Sequence, residues 1–574
     1  MRPSRHRIAC GAALLLLASS PFPEGARALP PAHASRGIAG PHWVFLRDRD
    51  HASSSTVAPA LAPHAAARRE KARRERAAAP ALDAPPRAAY RDAIAATGAR
   101  LRTESRWLNA VSVEADASTL DRIRALPFVV AIAPVARGSA RRASAPSDSI
   151  AAWARGGDVA DAGPSHAQLA MAGIPEAHAL GFHGEGVLIG VLDTGFALDH
   201  AAFDRIETRG RRDFVQGDGE TRNERGRTPP DPARQHDHGT QVLSLLAAYA
   251  PGRMIGAAYG ASFLLAKTER TDVEKPFEED IWCAGLEWAE AEGADVITTS
   301  ISFDDWYRAA PLDGRTAVVT RMANAAWERG VVLVNAAGNY GPRPSSVGAP
   351  ADAPGVIAVG ATDLEGRIAG FSSRGPTGDG RVKPDVTAPG ANVLVADAGT
   401  RDGYTRDGGT SYSAPLVAGV AALVVQAHPD WGPEAVREAV VMSGDRADQP
   451  ATDYGWGTVN ARAAILYPFV EGTVRERERG APIPNAIVSW EREEPAPGAP
   501  AESPAREHRW AAPGDGPPRG SIRADAGGAY TIANLPPGRY RLTVRAEGFT
   551  TETIGPFEVP PNLGGVDVSL APAR

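Results

Sequence analysis

The run Leu416-Val417-Ala418-Gly419-Val420-Ala421-Ala422-Leu423-Val424 has no polar face. A helix that is apolar all round must be buried, so the chain has to fold around these residues. Just before them stands Gly408-Gly409-Thr410-Ser411-Tyr412-Ser413-Ala414-Pro415, a glycine-rich loop delivering a serine to the helix start. The glycines permit a tight turn and keep the approach to Ser411 open. Pro415 is expected to be tolerated there because first-turn amides have no intrahelical partner. Ser411 would then sit where free amides and the helix dipole favour a developing negative charge, as an acyl-transfer nucleophile needs. The same residues also read as an ordinary Gly/Thr/Ser helix cap, and the stretch alone leaves both readings open.

A chain of 574 residues implies several domains, about three or four. A net charge of -6 gives no reason to invoke nucleic acid or an acidic membrane surface. The two cysteines are Cys10 and Cys283. Cys10 lies in the leader described next, so one thiol and no internal disulfide remain. Stability must then come from large buried cores. Cys283 lies between Trp282 and Leu286 in a predicted helix, the setting of an inert buried thiol.

Residues 1–28 have the basic, apolar and small-residue order of a secretory signal peptide, with Arg2, Arg5 and Arg7 ahead of Ile8 to Ala18 and cleavage after Ala28. That apolar run is too short to span a bilayer, and no membrane span is expected later. Residues 42–137 are expected to form a small α+β unit. Its strands are predicted at Trp43 to Leu46, Leu108 to Val113 and Phe128 to Ile132, with a helix at Ser118 to Leu126. The Ala/Arg/Glu stretch from Ala65 to Ala79 reads as a solvated polar helix. Residues 138–163 are Ala/Ser/Gly/Arg-rich without apolar periodicity, an exposed and cleavable linker.

From 164 to 467 strands and helices alternate, which predicts an α/β fold with a parallel sheet covered by helices on both faces. Strands are expected at Val187 to Leu192, Ala261 to Ala266, Ala294 to Ile301 and Val331 to Val334. Helices are expected at Gln241 to Ala250, Glu279 to Glu292 and Ala317 to Arg329. Asp193 and Asn339 fall at the carboxyl ends of strands, where active residues of such sheets belong. After Tyr467 the helical pattern stops. Residues 468–574 offer short strands separated by turns and read as a small antiparallel β-sandwich, interrupted by an irregular Pro/Ala/Glu-rich stretch from Glu491 to Arg519.

A serine becomes a nucleophile only when a base takes its proton, and the base needs an orienting carboxylate. The chain offers Asp193 after a strand, His238 before a helix and Ser411 before another helix. Asn339, on a glycine-flanked loop, can donate a side-chain N–H to an oxyanion. Asp-Thr-Gly alone is often a turn, and His-Gly-Thr alone often a helix cap. Together they stand in the chain order Asp, His, Ser, which is the subtilisin order.

The chain resembles the subtilisin-like serine proteases. Matching segments are Val191-Leu-Asp-Thr-Gly195, His238-Gly-Thr-Gln-Val242, Ala336-Ala-Gly-Asn339 and Gly409-Thr-Ser-Tyr-Ser-Ala-Pro415, with secondary matches at Phe371 to Pro376, Lys383 to Gly390 and Tyr454 to Asn460. The resemblance implies that Ser411 attacks a peptide carbonyl, His238 shuttles its proton, Asp193 orients the imidazole and Asn339 donates to the oxyanion. It implies that the segments Ser300-Ile301-Ser302 and Ala337-Gly338 bind protein or peptide substrates. Residues 42–137 resemble the family's inhibitory propeptide, an intramolecular partner that is cleaved off. The tail resembles a carboxypeptidase-regulatory-like domain, for which a cell-surface or glycan contact stands by analogy alone. No cofactor is required, no metal ligand is assigned, and a structural calcium site is not readable from the sequence. A secreted enzyme, extracellular or periplasmic, is expected. The competing reading is an inert subtilase-like protein that binds surfaces through its tail. A lipase or esterase is disfavoured, since Ser411 lacks the Gly-x-Ser-x-Gly elbow.

The chain departs from that family pattern at several positions. Gln241 stands where the family usually has His, Ser244 where it has Gly, and Tyr412-Ser413 where Met-Ala is commoner. Ser302 replaces a glycine in the pocket wall. Glu269, Asp272, Glu274, Glu278, Glu279 and Asp280 form an acidic cluster nearby, read as a solvated loop and helix start.

Overall fold

The computed structural model describes residues 40–49, 61–76, 83–136, 161–224, 226–227, 230–271, 278–303, 307, 312–493, 519–559 and 564–573. The signal-peptide segment, most of the linker, Asp272, Glu274 and residues 494–518 of the Pro-rich stretch lie outside them.

The middle of the chain is organised on a seven-stranded, wholly parallel sheet. Its strands are β5 (Leu188–Asp193), β6 (Glu207–Asp213), β7 (Ser262–Lys267), β8 (Val296–Thr299), β9 (Val332–Ala336), β10 (Ile357–Thr362) and β11 (Val386–Pro389), labelled to follow the four of the N-terminal domain below. Across the sheet the order is β11-β10-β9-β8-β5-β7-β6. Successive side chains of a strand face opposite ways. Ile189 and Val191 of β5 and Phe263 and Leu265 of β7 enter one apolar layer, while Leu192, Leu264 and Ala266 enter the other. Both faces are covered, which is why these strands read as unbroken apolar runs.

The helix Thr410–Ala427 lies in the first layer and is buried from Thr410 through Val424. It is long and apolar enough to cross a membrane by length and composition, but 83% of that window is buried inside the fold. Beside it lies the helix Asp237–Ala247. The helices Glu278–Glu292 and Val318–Glu328 cover the opposite face.

Those two helices are covered in turn by the N-terminal domain, an antiparallel sheet of order β2-β3-β1-β4 made by β1 (Gly40–Leu46), β2 (Arg100–Ser105), β3 (Ala110–Ala115) and β4 (Val129–Pro134). Strand β1 divides its side chains by the period-2 rule. Val44 and Leu46 pack inward with Ile94, Val111, Val113 and Ile123. Trp43 and Phe45 face the other way and share a layer with Cys283, Leu286 and Met322 of the covering helices. Cys283 is buried as expected.

Two charged stretches expected to be solvated are not. The helix Pro63–Arg76 buries Ala65, Arg68 and Ala72, spaced to share one face. Glu278, Glu279 and Asp280 are buried. Each has its partner across the domain boundary: Arg68 and Arg69 of the first meet Glu290, and Asp280 of the second meets Arg102.

The C-terminal domain has two sheets around its own core of Val470, Val488, Tyr540, Leu542, Val559 and Leu570. One is antiparallel throughout. In the other, Val470–Glu476 pairs in parallel with Val568–Leu570, so the sandwich is mixed rather than purely antiparallel. The last described strand runs alongside the domain's first in the same direction.

Candidate active site

Asp193 is the last residue of β5 and is fully buried. Its Oδ1 accepts from the Thr194 amide at 2.7 Å and faces Nδ1 of His238 at 2.8 Å. His238 lies within the first turn of Asp237–Ala247, not ahead of the helix. Gly239 permits the approach. A Cβ there would stand 2.2 Å from the Gly195 carbonyl oxygen and 3.1 Å from the Asp193 side chain, so a larger residue would force helix and strand end apart.

Behind Asp193 lies Glu269, 3% exposed. Burial, reinforced by the charges of Asp193 and Glu278, pushes its carboxyl well above the usual range. Both causes favour the neutral form of Glu269 over a second negative charge beside Asp193.

Ser411 is the second residue of the helix Thr410–Ala427. Pro415 is not among the first-turn residues. It stands where a helix would donate an amide to the Ser411 carbonyl, and proline has none. The vacancy is filled from outside: Ser300 Oγ donates to the Ser411 carbonyl at 3.1 Å. The Ser300 carbonyl in turn faces Ser411 Oγ at 3.4 Å. Ser300, read from the sequence as a substrate residue, thus grips the serine-bearing turn from the end of β8.

Asn339 follows Gly338, whose φ of +110° suits glycine and where a Cβ would meet Ser373 Oγ at 2.9 Å. The Asn339 side-chain oxygen accepts from the Thr410 amide at 2.9 Å and from Thr410 Oγ1 at 3.0 Å. That fixes the orientation of the side-chain amide against the start of the serine helix. Thr410 Oγ1 also accepts from the Gly338 amide at 3.2 Å. Thr410 is therefore a clamp between the asparagine loop and the serine helix that motif reading did not single out.

The two departures at Gln241 and Tyr412 turn out to be one feature. The Tyr412 hydroxyl lies 2.8 Å from Gln241 Oε1 and 3.0 Å from Asp407 Oδ2. Its ring centroid stands 5.7 Å from that of His238. Ser244 Oγ donates to the Gln241 carbonyl at 2.6 Å and accepts from the Ala396 amide at 3.1 Å.

Of the remaining sequence candidates, Ile301 is fully buried in the apolar layer, and its carbonyl accepts from Asn335 Nδ2 at 3.2 Å. Ala337 is fully buried and accepts from the Gly348 amide at 3.2 Å. Ser302 is 4% exposed, and its hydroxyl has no hydrogen-bond partner among the described residues. It points at Gly348, where a Cβ would stand only 1.9 Å from Ser302 Oγ.

Among the described residues, Asp213, Asp218 and Glu224 cluster closely enough to ligate a cation. Their chemistry argues against one. Lys267, fully buried, lies 2.7 Å from Asp213 Oδ2 and 2.6 Å from Asp231 Oδ2, and Arg227 pairs with both Asp218 and Glu224. Side-chain cations already supply the charge a bound metal would bring.

The Subtilase family model matches residues 184–457. Subtilisin BL from Lederbergia lenta is 33% identical over 291 residues, 50% of this chain and 94% of that protein. The chain belongs to the subtilase family. It is a subtilisin-like serine endopeptidase carrying a propeptide. Models described as "Peptidase S8 propeptide domain, Bacteroidota" and "Carboxypeptidase regulatory-like domain" match residues 41–148 and 470–571. Serine protease AprX from Bacillus subtilis is 29% identical over 316 residues, 49% of this chain and 66% of its own length. In fold, this subtilase resembles fervidolysin from Fervidobacterium pennivorans, described as a keratinolytic enzyme related to subtilisin, with a TM-score of 0.51 and 20% identity over 84% of this chain and 77% of that one.

Proposed function

We propose that this subtilase is a secreted precursor, extracellular or periplasmic, that matures by cutting itself within residues 138–163 and hydrolyses peptide bonds through Ser411, His238 and Asp193. The observation that carries the reading is the buried His238–Asp193 contact at 2.8 Å, set beside a serine helix gripped by Ser300 and Thr410. Asp193 holds the imidazole by Nδ1 and stabilises its charged form, so that Nε2 takes the Ser411 proton as Oγ attacks the scissile carbonyl. The Asn339 amide donates to the oxyanion together with the Ser411 backbone N–H. His238 then returns the proton to the leaving amine, and water releases the acyl-enzyme by the same steps in reverse. No cofactor takes part.

Substrate backbone would lie along Ser300 to Ser302 and Ala337-Gly338. The Ser302 hydroxyl, packed against Gly348, adds bulk beside these segments and favours small or medium side chains at the cleaved residue. Ser302→Gly is expected to raise kcat/KM for large aromatic residues roughly tenfold or more relative to alanine. An unchanged preference across a peptide library would remove Ser302 from the pocket.

The central test is Ser411→Ala. The variant is expected to accumulate as the full-length precursor in a protease-deficient host, unreactive to a fluorophosphonate that labels the wild type. Normal processing of the variant would reject self-cleavage. A wild type that is not labelled would leave the inert reading standing.

A further inference from the structure

The helix Glu278–Glu292 carries Asp280, Glu287 and Glu290, which at 100° per residue fall on one face within an arc of roughly 80°. All three side chains are buried, and every partner they have among the described residues comes from the N-terminal domain. Arg102 meets Asp280 at 2.7 and 3.1 Å through Nε and Nη2, and Ser112 Oγ also donates to it. Ser105 Oγ and the Arg106 and Trp107 amides donate to Glu287, with the Arg106 guanidinium at 3.4 Å. Arg69 forks onto Glu290 at 2.6 and 2.7 Å, and Arg68 joins it. Between these charges Trp43, Phe45 and Trp107 press into the layer that holds Cys283 and Leu286. The N-terminal domain is therefore a seated example of what this face binds: planar, bidentate guanidinium groups with aromatic rings among them.

We propose that, once the propeptide has left, this face of the mature enzyme is a docking surface for arginine- and aromatic-bearing segments of polypeptide substrates, lying N-terminal to the bond that is cut. The inference rests on the reading of residues 42–137 as a removable propeptide. The direction follows from how the seated chain leaves. After β4 the chain passes Val135 to Ala136, whose amide donates to Glu279 at the start of the helix. That helix end is close to the site: the Arg270 amide donates to Glu278 at 3.2 Å, and two residues earlier the Thr268 amide donates to the Asp193 carbonyl at 2.9 Å. A chain seated in the same sense reaches the cleft with its C-terminal part. Release uncovers three carboxylates without partners on a partly apolar face, a surface that favours rebinding of cationic segments over neutral ones.

The test uses the processed wild-type enzyme and three substrates: a short chromogenic peptide, a long peptide with an arginine- and tryptophan-bearing segment upstream of the cleaved bond, and the same long peptide with each arginine replaced by glutamine. At low ionic strength the arginine peptide is expected to exceed the glutamine peptide about tenfold in kcat/KM, the effect lying in KM, from a few partly exposed ion pairs acting together. The advantage should collapse at about 0.5 M salt. In a processed Asp280→Asn/Glu287→Gln/Glu290→Gln enzyme the ratio should fall to about one. If that variant fails to mature, an uncleavable arginine-rich peptide serves instead, competing with the long arginine substrate but not with the chromogenic one. Equal kcat/KM for the two long peptides at low salt, with the chromogenic peptide still cut, overturns the docking surface and leaves the protease reading intact. Failure to cut any of the three overturns both.

Discussion

The catalytic domain meets its two neighbours in different ways. Toward the N-terminal domain it shares a core: Trp43, Phe45, Trp107 and Val135 belong to the same apolar layer as Trp282, Leu286, Leu333 and Met322. Buried ion pairs ring that layer. Toward the C-terminal domain it shares none among the described residues, where Val470 through Leu570 close a cluster of their own. The described polar contacts across that second junction include Arg462 with Glu471, each about a third exposed, and the Asn534 amide on the Leu466 carbonyl. One neighbour completes the surface of the catalytic domain, while the other is tethered to it. The more intimate contact is thus made by the propeptide, the domain that the proposed maturation would remove.

The sharpest way to break this comparison is to delete each neighbour. A chain ending at Tyr467 is expected to keep kcat/KM on a short peptide within about twofold, since each domain has its own core. Expression without residues 42–137 is expected to give no active enzyme, because Trp282, Leu286 and the carboxylates of Glu278–Glu292 would then be uncovered during folding. Activity assays of the two truncations decide it; equal activities would erase the distinction.

Single residues give a smaller contrast. In the Ser411→Ala precursor, Glu290→Ala leaves Arg68, 3% exposed, without its carboxylate, while Arg69 keeps Asp83. Breaking such a buried pair costs about 3–5 kcal/mol. Arg462→Ala, at the other junction, should cost no more than about 1 kcal/mol. Urea midpoints of the two variants measure the difference, and comparable losses would mean that burial does not distinguish the junctions.

Smaller still, per unit of pH, is the expected effect of acidity. Burial under the N-terminal domain, reinforced by the neighbouring Asp280 charge, pushes the Glu279 carboxyl up to about 7 against the hydrogen bonds from the Ala136 amide and the Tyr307 hydroxyl. His64 is raised chiefly by its hydrogen bond to Asp295, against burial and the charges of Arg68 and Lys71. A raised pKa in the docked state means that docking is favoured by the protonated form. Both contributions are therefore full at acid pH and are lost as pH rises, Glu279 between its ordinary value of 4.5 and about 7, His64 above 6.5. The lag between processing and full activity should shorten a few-fold per unit as pH is raised from about 5 to 8. A lag that lengthens over that range would contradict the assignment.

How much of this was legible beforehand depended on whether the signal was local. Asp193, His238, Asn339 and Ser411 each sit in a short segment whose turn or helix start is encoded by adjacent glycines, and they could be read together. Strands β5, β7 and β9 showed as apolar runs because both their faces are covered. The edge strand β6, Glu-Thr-Arg-Gly-Arg-Arg-Asp, did not, because its side chains are mostly exposed and nothing apolar marks it. What failed was pairing at a distance. Pro63–Arg76 and Glu278–Asp280 each look solvated alone, and only the fold sets Arg68 against Glu290 across 222 residues of chain and Arg102 against Asp280 across 178. Gln241 and Tyr412 likewise looked like separate departures until the hydroxyl of one was found against the amide of the other.

The proline in the serine helix has a consequence for the life of the precursor. A helix able to close its own ladder would present Ser411 in finished geometry as soon as it formed, at whatever stage of folding. Pro415 denies it that autonomy. The missing bond is supplied by Ser300, which reaches its position only when β8 has taken its place beside β5 and β9. On the role proposed for Ser411, chemical competence therefore waits for the centre of the sheet, and a chain whose β8 is not yet in place lacks it.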